Sequence, residues 1–495
     1  MPGRRRLPRA LPSEQGVPAR ALLRFLDSLE QGGPELHSLM VLRRGHVIAE
    51  GWWHPYRREL GHQLFSLSKS FTSTAVGFAR AEGLLSLDDL VLDHLGDLAP
   101  ARPDPRLARM RIRHLLTMTT GHVTQTEARV FGSRRWAKAF LAWPLEAEPG
   151  TTFLYNTAAT YTLSFLVQRL TGQRLLDYLR PRLLEPLGIE GATWEQSPEG
   201  VDTGGFGLSL ATEDLACFGQ LYLQDGVWQG TRVLPEGWVA EATARHTDSH
   251  IYDPDWAQGY GYQFWRCQPP GVYRGDGAFG QFCIVMPEAE AVVVATSGTP
   301  DLQGVLDRIW EHLVPALGGE QEVGAGLEPA AEAELAARLA ALRIAPPSGD
   351  AVPERTLAGR RIEVTGDAGE VRAVVVGPEG LGAGEATTVT LELTDGGSRT
   401  LAVGAGAWAE RAVRPRRGAG AFAGRAEDGP LPVVAAAAWT APDTCTVQVR
   451  PLQSPACLTL EARIADDAVT AQARLNVSFG RTDLGTVRGR VVDDG

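Results

Sequence analysis

Ser66 and Lys69 stand three residues apart in the stretch Phe65-Ser66-Leu67-Ser68-Lys69-Ser70-Phe71-Thr72-Ser73. At the start of a helix, that spacing puts the hydroxyl and the amine on one face, where they can meet. The free N–H groups of the helix N-terminus favour an oxyanion developing on a carbonyl attacked by Ser66. A serine hydroxyl needs a base to take its proton. A lysine serves only when burial or nearby cations leave it neutral. The pattern alone is common, but lysine is scarce in this chain. Only Lys69 and Lys138 are present, and the other positive charge is arginine, which keeps its proton in proteins. The competing reading is a surface lysine on an amphipathic helix.

Two further stretches carry chemistry. In Pro149-Gly150-Thr151-Thr152-Phe153-Leu154-Tyr155-Asn156-Thr157, a turn leads to Tyr155 just before a helix with Leu163, Leu166, Val167 and Leu170 on one side. Asn156 or Thr157 can cap that helix. Beside an ammonium the phenol pKa falls, so Tyr155 could shuttle a proton between Ser66 and a leaving group; otherwise its ring packs on its own helix. In Tyr273-Arg274-Gly275-Asp276-Gly277-Ala278-Phe279-Gly280-Gln281, a glycine-rich piece runs into an apolar strand. Glycines there suit close approach of an acyl group to a backbone N–H, one half of an oxyanion hole. A plain hairpin loop is the alternative. His114 and His122 lack a carboxylate spaced to orient them and read as structural polar groups.

Taken in order, the three stretches resemble the serine β-lactamase and penicillin-binding-protein superfamily, closest to class C β-lactamases and family VIII esterases. Ile112-Arg113-His114-Leu115-Leu116-Thr117-Met118-Thr119 and Pro149-Gly150-Thr151 share in the likeness, which covers about residues 20 to 315. The resemblance implies an α/β fold: an antiparallel sheet flanked by helices, plus an all-α lobe, with the site between them. It implies Ser66 as acyl-accepting nucleophile, Lys69 as its proton partner and Tyr155 as general base. The backbone N–H groups of Ser66 and Ala278 would hold the oxyanion.

The chain departs from that family twice. Family members usually carry Tyr-x-Asn, whereas here Asn156 directly follows Tyr155 and Thr157 takes the third position. β-Lactamases and peptidases place Lys or His, then Thr, then Gly on the third motif, where this chain has Gly275, Asp276 and Gly277. That cationic motif grips the carboxylate of a penicillin or a D-alanyl peptide. An aspartate repels it, unless Arg274 points inward to compensate. The expected substrate is therefore a small-molecule ester or small amide. β-Lactamase or D-alanyl peptidase activity, and a catalytically weak acyl- or peptide-binding sensor or scaffold, are the alternatives.

The elements that position these residues begin with a short helix over Val17 to Gln31 and two strands from Ser38 to Trp52 around Arg44-Gly45. The aromatic run Tyr252 to Trp265 reads equally as a core strand or as the lining of an acyl pocket. A chain of 495 residues exceeds one ordinary domain. The expected division is a hydrolase domain over 1–319, a helix and Pro/Gly linker over 320–352, and an all-β accessory domain over 353–495, either a sandwich or a lipocalin-like barrel. Its roles could include capping the site or dimerisation. A formal charge of −11 without basic-aromatic clusters excludes nucleic acid as a partner. No run of about 18 apolar residues suits a membrane span. Five cysteines without metal-ligand spacing read as reduced thiols in a cytoplasmic protein, and no metal or cofactor is called for. The N-terminus does not read as a secretory signal, and Asn476-Val477-Ser478 reads as a chance sequon.

Overall fold

Apolar residues on both sides of Arg44-Gly45 build the first hairpin, β1 (Leu36–Arg43) and β2 (His46–Trp52). Both turn residues have positive φ, 47° and 77°, the geometry whose twist suits a two-residue loop. The computed structural model describes residues 7–249, 254–318, 328–349, 351–354, 356–366, 369–382, 386–414 and 429–492. It divides into two compact units, one of Met1–Gly51, Gln63–Ser297 and Asp301–Ala340, the other of Trp52–His62, Gly298–Pro300 and Ala341–Gly495.

The first unit is organised on a six-stranded sheet completed by β3 (Trp265–Arg266), β4 (Tyr273–Gly277), β5 (Gln281–Met286) and β6 (Ala291–Ser297). The spatial order is β2-β1-β6-β5-β4-β3. Pairing is antiparallel between β1 and β6, β6 and β5, β5 and β4, and β4 and β3. Every residue of β1, β5 and β6 is buried, as expected for strands covered on both faces. Helix α1 (Ala19–Glu30) is one of the flanking helices. Helix α2 (Ser68–Ala81) follows Ser66, α3 is Glu127–Phe131, α4 is Thr157–Thr171 and α5 is Thr212–Leu223. A Cβ on Gly219 of α5 would lie 2.6 Å from Val292 and 2.8 Å from Cys283, so a glycine lets that helix settle directly on β5 and β6. Helix α6 (Pro329–Ala340) docks on α1, with Arg338 bonded to Asp27 and 2.7 Å from Glu30.

The second unit takes the barrel form of the two forms the strand pattern allows. Its strands are β7 (Arg361–Val364), β8 (Val371–Val376), β9 (Thr387–Leu393), β10 (Ser398–Ala405), β11 (Ala409–Val413), β12 (Leu431–Ala441), β13 (Thr444–Pro451), β14 (Leu458–Ala465), β15 (Ala468–Leu475) and β16 (Asp483–Val492). They follow the order β10-β9-β8-β7-β16-β15-β14-β13-β12-β11. A short parallel pairing of Gly404 with Ala436 and Ala405 with Ala437 closes nine strands, β10 through β12, into a ring, while β11 pairs with the preceding stretch of β12, Leu431 to Ala435. Ile362, Val376, Val403, Ala435, Trp439 and Ile464 are among the residues that fill the interior. Trp439 Nε1 donates to the Leu381 carbonyl at 2.6 Å. Within the same unit, Trp52–His62 is held by Tyr56, which packs with Val434, Leu452, Ile344 and Trp408, and by Arg57, which grips Glu410 through two bonds of 2.8 and 2.9 Å.

Candidate active site

Ser66 lies in a 3-10 turn, Phe65–Leu67, and α2 begins two residues later at Ser68. The helix expected from Ser66 therefore starts slightly late. Phe65 sits at φ 48°, a left-handed conformation that a bulky residue seldom adopts, and this sharp turn presents Ser66. The Phe65 ring meets Phe279 edge-on at 5.2 Å, and its carbonyl accepts from Ser68 Oγ at 2.6 Å. Phe279 itself has φ 65°, so both residues of this ring contact carry local backbone strain.

Lys69 is 1% exposed. Its Nζ donates to Ser66 Oγ at 2.9 Å and to the Gly205 carbonyl at 2.8 Å, and lies 3.4 Å from Thr157 Oγ1. Burial lowers its pKa from 10.5 to about 7, against the opposing pull of Glu127 and then Asp276. A surface lysine is excluded: this amine is buried, aimed at the serine, and held well below the ordinary lysine pKa by that burial. Nζ also lies 4.7 Å from the centre of the Tyr155 ring, which stacks on Trp265 at 5.3 Å and 23°.

The shifted Tyr-x-Asn motif has a physical account. Asn156 is fully buried and turns its Oδ1 to the N–H groups of Ala158 and Ala159, capping α4. Asn156 is thereby committed to the helix, and Thr157 faces the lysine. The Thr157 N–H is held by Glu127 Oε1 at 2.8 Å. Glu127 escapes sequence reasoning because it lies thirty residues from its partner on a short helix with no motif around it.

On the third motif the glycines allow close approach. A Cβ on Gly277 would sit 2.0 Å from the Leu64 carbonyl oxygen, and one on Gly275 would sit 2.7 Å from Ser70 Oγ. The strand β4 thus runs against the chain entering the turn that holds Ser66, with half-buried Ala278 next in sequence. Arg274 supplies no open cation. It is wholly buried, with Nε 3.1 Å from Asp276 and NH1 3.9 Å from Asp255, and its guanidinium covers Trp256 at 4.7 Å. Burial lifts the Asp276 carboxyl above its ordinary pKa, against the pull of Arg274.

Other sequence candidates fall outside the site. His122 is buried, bonds Thr120 Oγ1 at 2.9 Å and has a pKa lowered to about 4 by burial. His114 accepts from the Arg111 N–H at 3.1 Å, and burial lowers it likewise to about 4. Tyr260, Tyr262, Phe264 and Trp265 are all at most 3% exposed, and Tyr260 and Trp265 pack on the Tyr155 ring, so these residues are buried and border Tyr155; Tyr252 lies outside the described residues. Among the described residues no group of His, Cys, Asp and Glu is arranged to hold a metal, and no helix is long and apolar enough to cross a membrane.

The sheet flanked by helices, with a serine and a buried lysine at its edge, has the architecture of the serine hydrolases. The chain belongs to the Beta-lactamase family, whose profile matches residues 26–314. A 6-aminohexanoate-dimer hydrolase from Paenarthrobacter ureafaciens is 29% identical over 316 residues, 59% of this chain and 80% of that protein. Penicillin-binding protein 4 of Amycolatopsis lactamdurans is 28% identical over 344 residues, 59% of this chain and 86% of its own. Among solved structures, EstCE1, a hydrolase with promiscuous acyltransferase activity, superposes with a TM-score of 0.50 at 19% identity, over 60% of this chain and 99% of that one. That likeness is one of fold.

Proposed function

We propose that this protein hydrolyses a carboxylic ester or small amide through an acyl-enzyme on Ser66. Lys69 takes the Ser66 proton as Oγ attacks the carbonyl, Tyr155 passes a proton to the leaving group, and water then releases the acyl group. The N–H groups of Ser66 and Ala278 hold the oxyanion. The observation that carries this reading is the 2.9 Å contact between Ser66 Oγ and a fully buried lysine whose pKa falls to about 7. The relative that acts on a 6-aminohexanoate dimer supports an amide as one substrate. The pairing of Arg274 with Asp276 and Asp255 weighs against substrates that need a cation for their carboxylate, which disfavours β-lactams and D-alanyl peptides.

The test is release of nitrophenol from short-chain nitrophenyl esters beside a chromogenic cephalosporin, comparing wild type with Ser66→Ala, Lys69→Arg and Tyr155→Phe. Ester turnover lost in all three variants, with little cephalosporin cleavage, is the expected result. Cephalosporin turnover equal to the ester rate would overturn the substrate assignment. Ester turnover indifferent to Ser66→Ala would overturn the nucleophile.

A further inference from the structure

The acyl-transfer reading leaves one ionisable group beside Lys69 without a role. Glu127 begins α3, and its Oε1 accepts the Thr157 N–H at 2.8 Å. Its Oε2 is buried and has no hydrogen-bond partner among the described residues. A buried acceptor left unpaired is costly, more so on a carboxylate, so capping one N–H does not account for both oxygens. Thr157 also places its Oγ1 3.4 Å from Lys69 Nζ, which puts the carboxylate one residue from the amine. The groups facing that amine are Ser66, Thr157, the Gly205 carbonyl and the Tyr155 ring. Two charges act on it, Glu127 first and Asp276 second. Asp276 is already matched by Arg274 at 3.1 Å. Glu127 has no matching cation among the described ion pairs.

We propose that Glu127 is a positioning residue that acts through Lys69, stabilising the ammonium formed when Lys69 takes the Ser66 proton. The inference rests on the acyl-transfer reading. In that step the Ser66 O–H bond breaks, an N–H bond forms on Nζ, and Oγ bonds to the substrate carbonyl carbon, whose π electrons move to the oxygen. When the tetrahedral adduct collapses, the bond to the leaving group breaks, and the proton on Nζ is relayed by Tyr155 to that group. Between these events Lys69 carries a full charge in a dry site. The Glu127 carboxylate, with Oε2 unpartnered among the described residues, is then its uncommitted counter-charge.

The chain's two lysines make a direct test. With lysine carrying carbon-13 at Cε, the protein shows two signals, one from Lys69 and a reference from exposed Lys138. Glu127→Gln keeps an oxygen for the Thr157 N–H and removes the charge. The Lys69 midpoint is expected to fall by about one unit in that variant. The acid limb of kcat/KM for a nitrophenyl acetate should move to lower pH by the same amount, with a lower plateau because a less basic amine takes the proton less well. Glu127→Asp, which keeps the charge, should hold the midpoint near the wild-type value. Glu127→Ala, expected to lower it as the glutamine does, serves as a second variant if the glutamine fails to fold. An unmoved midpoint and limb in the folded variants would overturn the proposal and leave Glu127 as a cap for Thr157. A fallen midpoint in a protein without Ser66-dependent ester turnover would support the coupling and sink the acyl-transfer reading instead.

Discussion

Exchanging Lys69 for methionine should abolish turnover while making the protein more stable, by an amount that depends on pH. A lysine whose pKa drops from 10.5 to about 7 on folding destabilises the folded state by about 5 kcal/mol when both states are protonated. The unfolded lysine binds a proton below about 10.5 and the folded one only below about 7. Between those values unfolding takes up a proton, so wild-type stability rises with pH across that window. The penalty is complete below pH 7 and gone above 10.5. Methionine also gives up the bonds to Ser66 Oγ and the Gly205 carbonyl, at about 1 kcal/mol each, which leaves a net gain of about 3 kcal/mol near pH 6. Thermal unfolding of the two proteins at pH 6, 8 and 10, followed by tryptophan fluorescence, reads this directly. A methionine variant less stable at pH 6, or an advantage unchanged at pH 10, would refute a neutral buried Lys69. The kinetic counterpart is a wild-type kcat/KM that rises about tenfold per pH unit below 7 and levels above it, with Lys69→Arg inactive at every pH because arginine does not release its proton.

Three further outcomes follow from the geometry. Gly277→Ala places a Cβ 2.0 Å from the Leu64 carbonyl, which must push β4 from the turn that holds Ser66; kcat/KM on a nitrophenyl ester should fall by about 100-fold or more. Thr157→Val removes a hydroxyl 3.4 Å from Lys69, a long contact, so the rate should change by less than about tenfold. Trp439→Ala empties a site in the barrel core where the indole is 2% exposed. Chemical denaturation of the barrel should show a loss of about 3–5 kcal/mol.

The Ser66–Lys69 pair is legible in the sequence because its spacing is that of one helical turn, and the 3-10 entry at Phe65–Leu67 preserves the juxtaposition although the helix starts later. Tyr155 is legible as a residue before a periodic helix. The exchange of tasks between Asn156 and Thr157 is not, because it depends on Asn156 Oδ1 capping α4. Arg274 reads as a cation that could serve a substrate. Only the fold reveals that Asp255, nineteen residues away, and Asp276 bind it up. In the barrel, β12 escapes a strand reading because four consecutive alanines, Ala435–Ala438, lack the branched side chains that mark strands. Those alanines become strand through pairing with β13 and β10. Strand β16 hides for a different reason: much of it is exposed, so it lacks an apolar face.

The path of the chain through Trp52–His62 bears on how such a protein could be shortened. That segment belongs to the barrel unit although it precedes Ser66 in sequence, and the chain re-enters the first unit at Gln63, three residues before Ser66. A gene cut after codon 340 would therefore not yield a tidy hydrolase. It would leave Tyr56 and Leu60 stripped of Ile344, Trp408, Val434 and Leu452, a sticky loop tethered just upstream of Ser66. Exchange of the barrel between related proteins accordingly means carrying three stretches across, Trp52–His62 upstream of Ser66, and Gly298–Pro300 and the chain from Ala341 onward downstream of it.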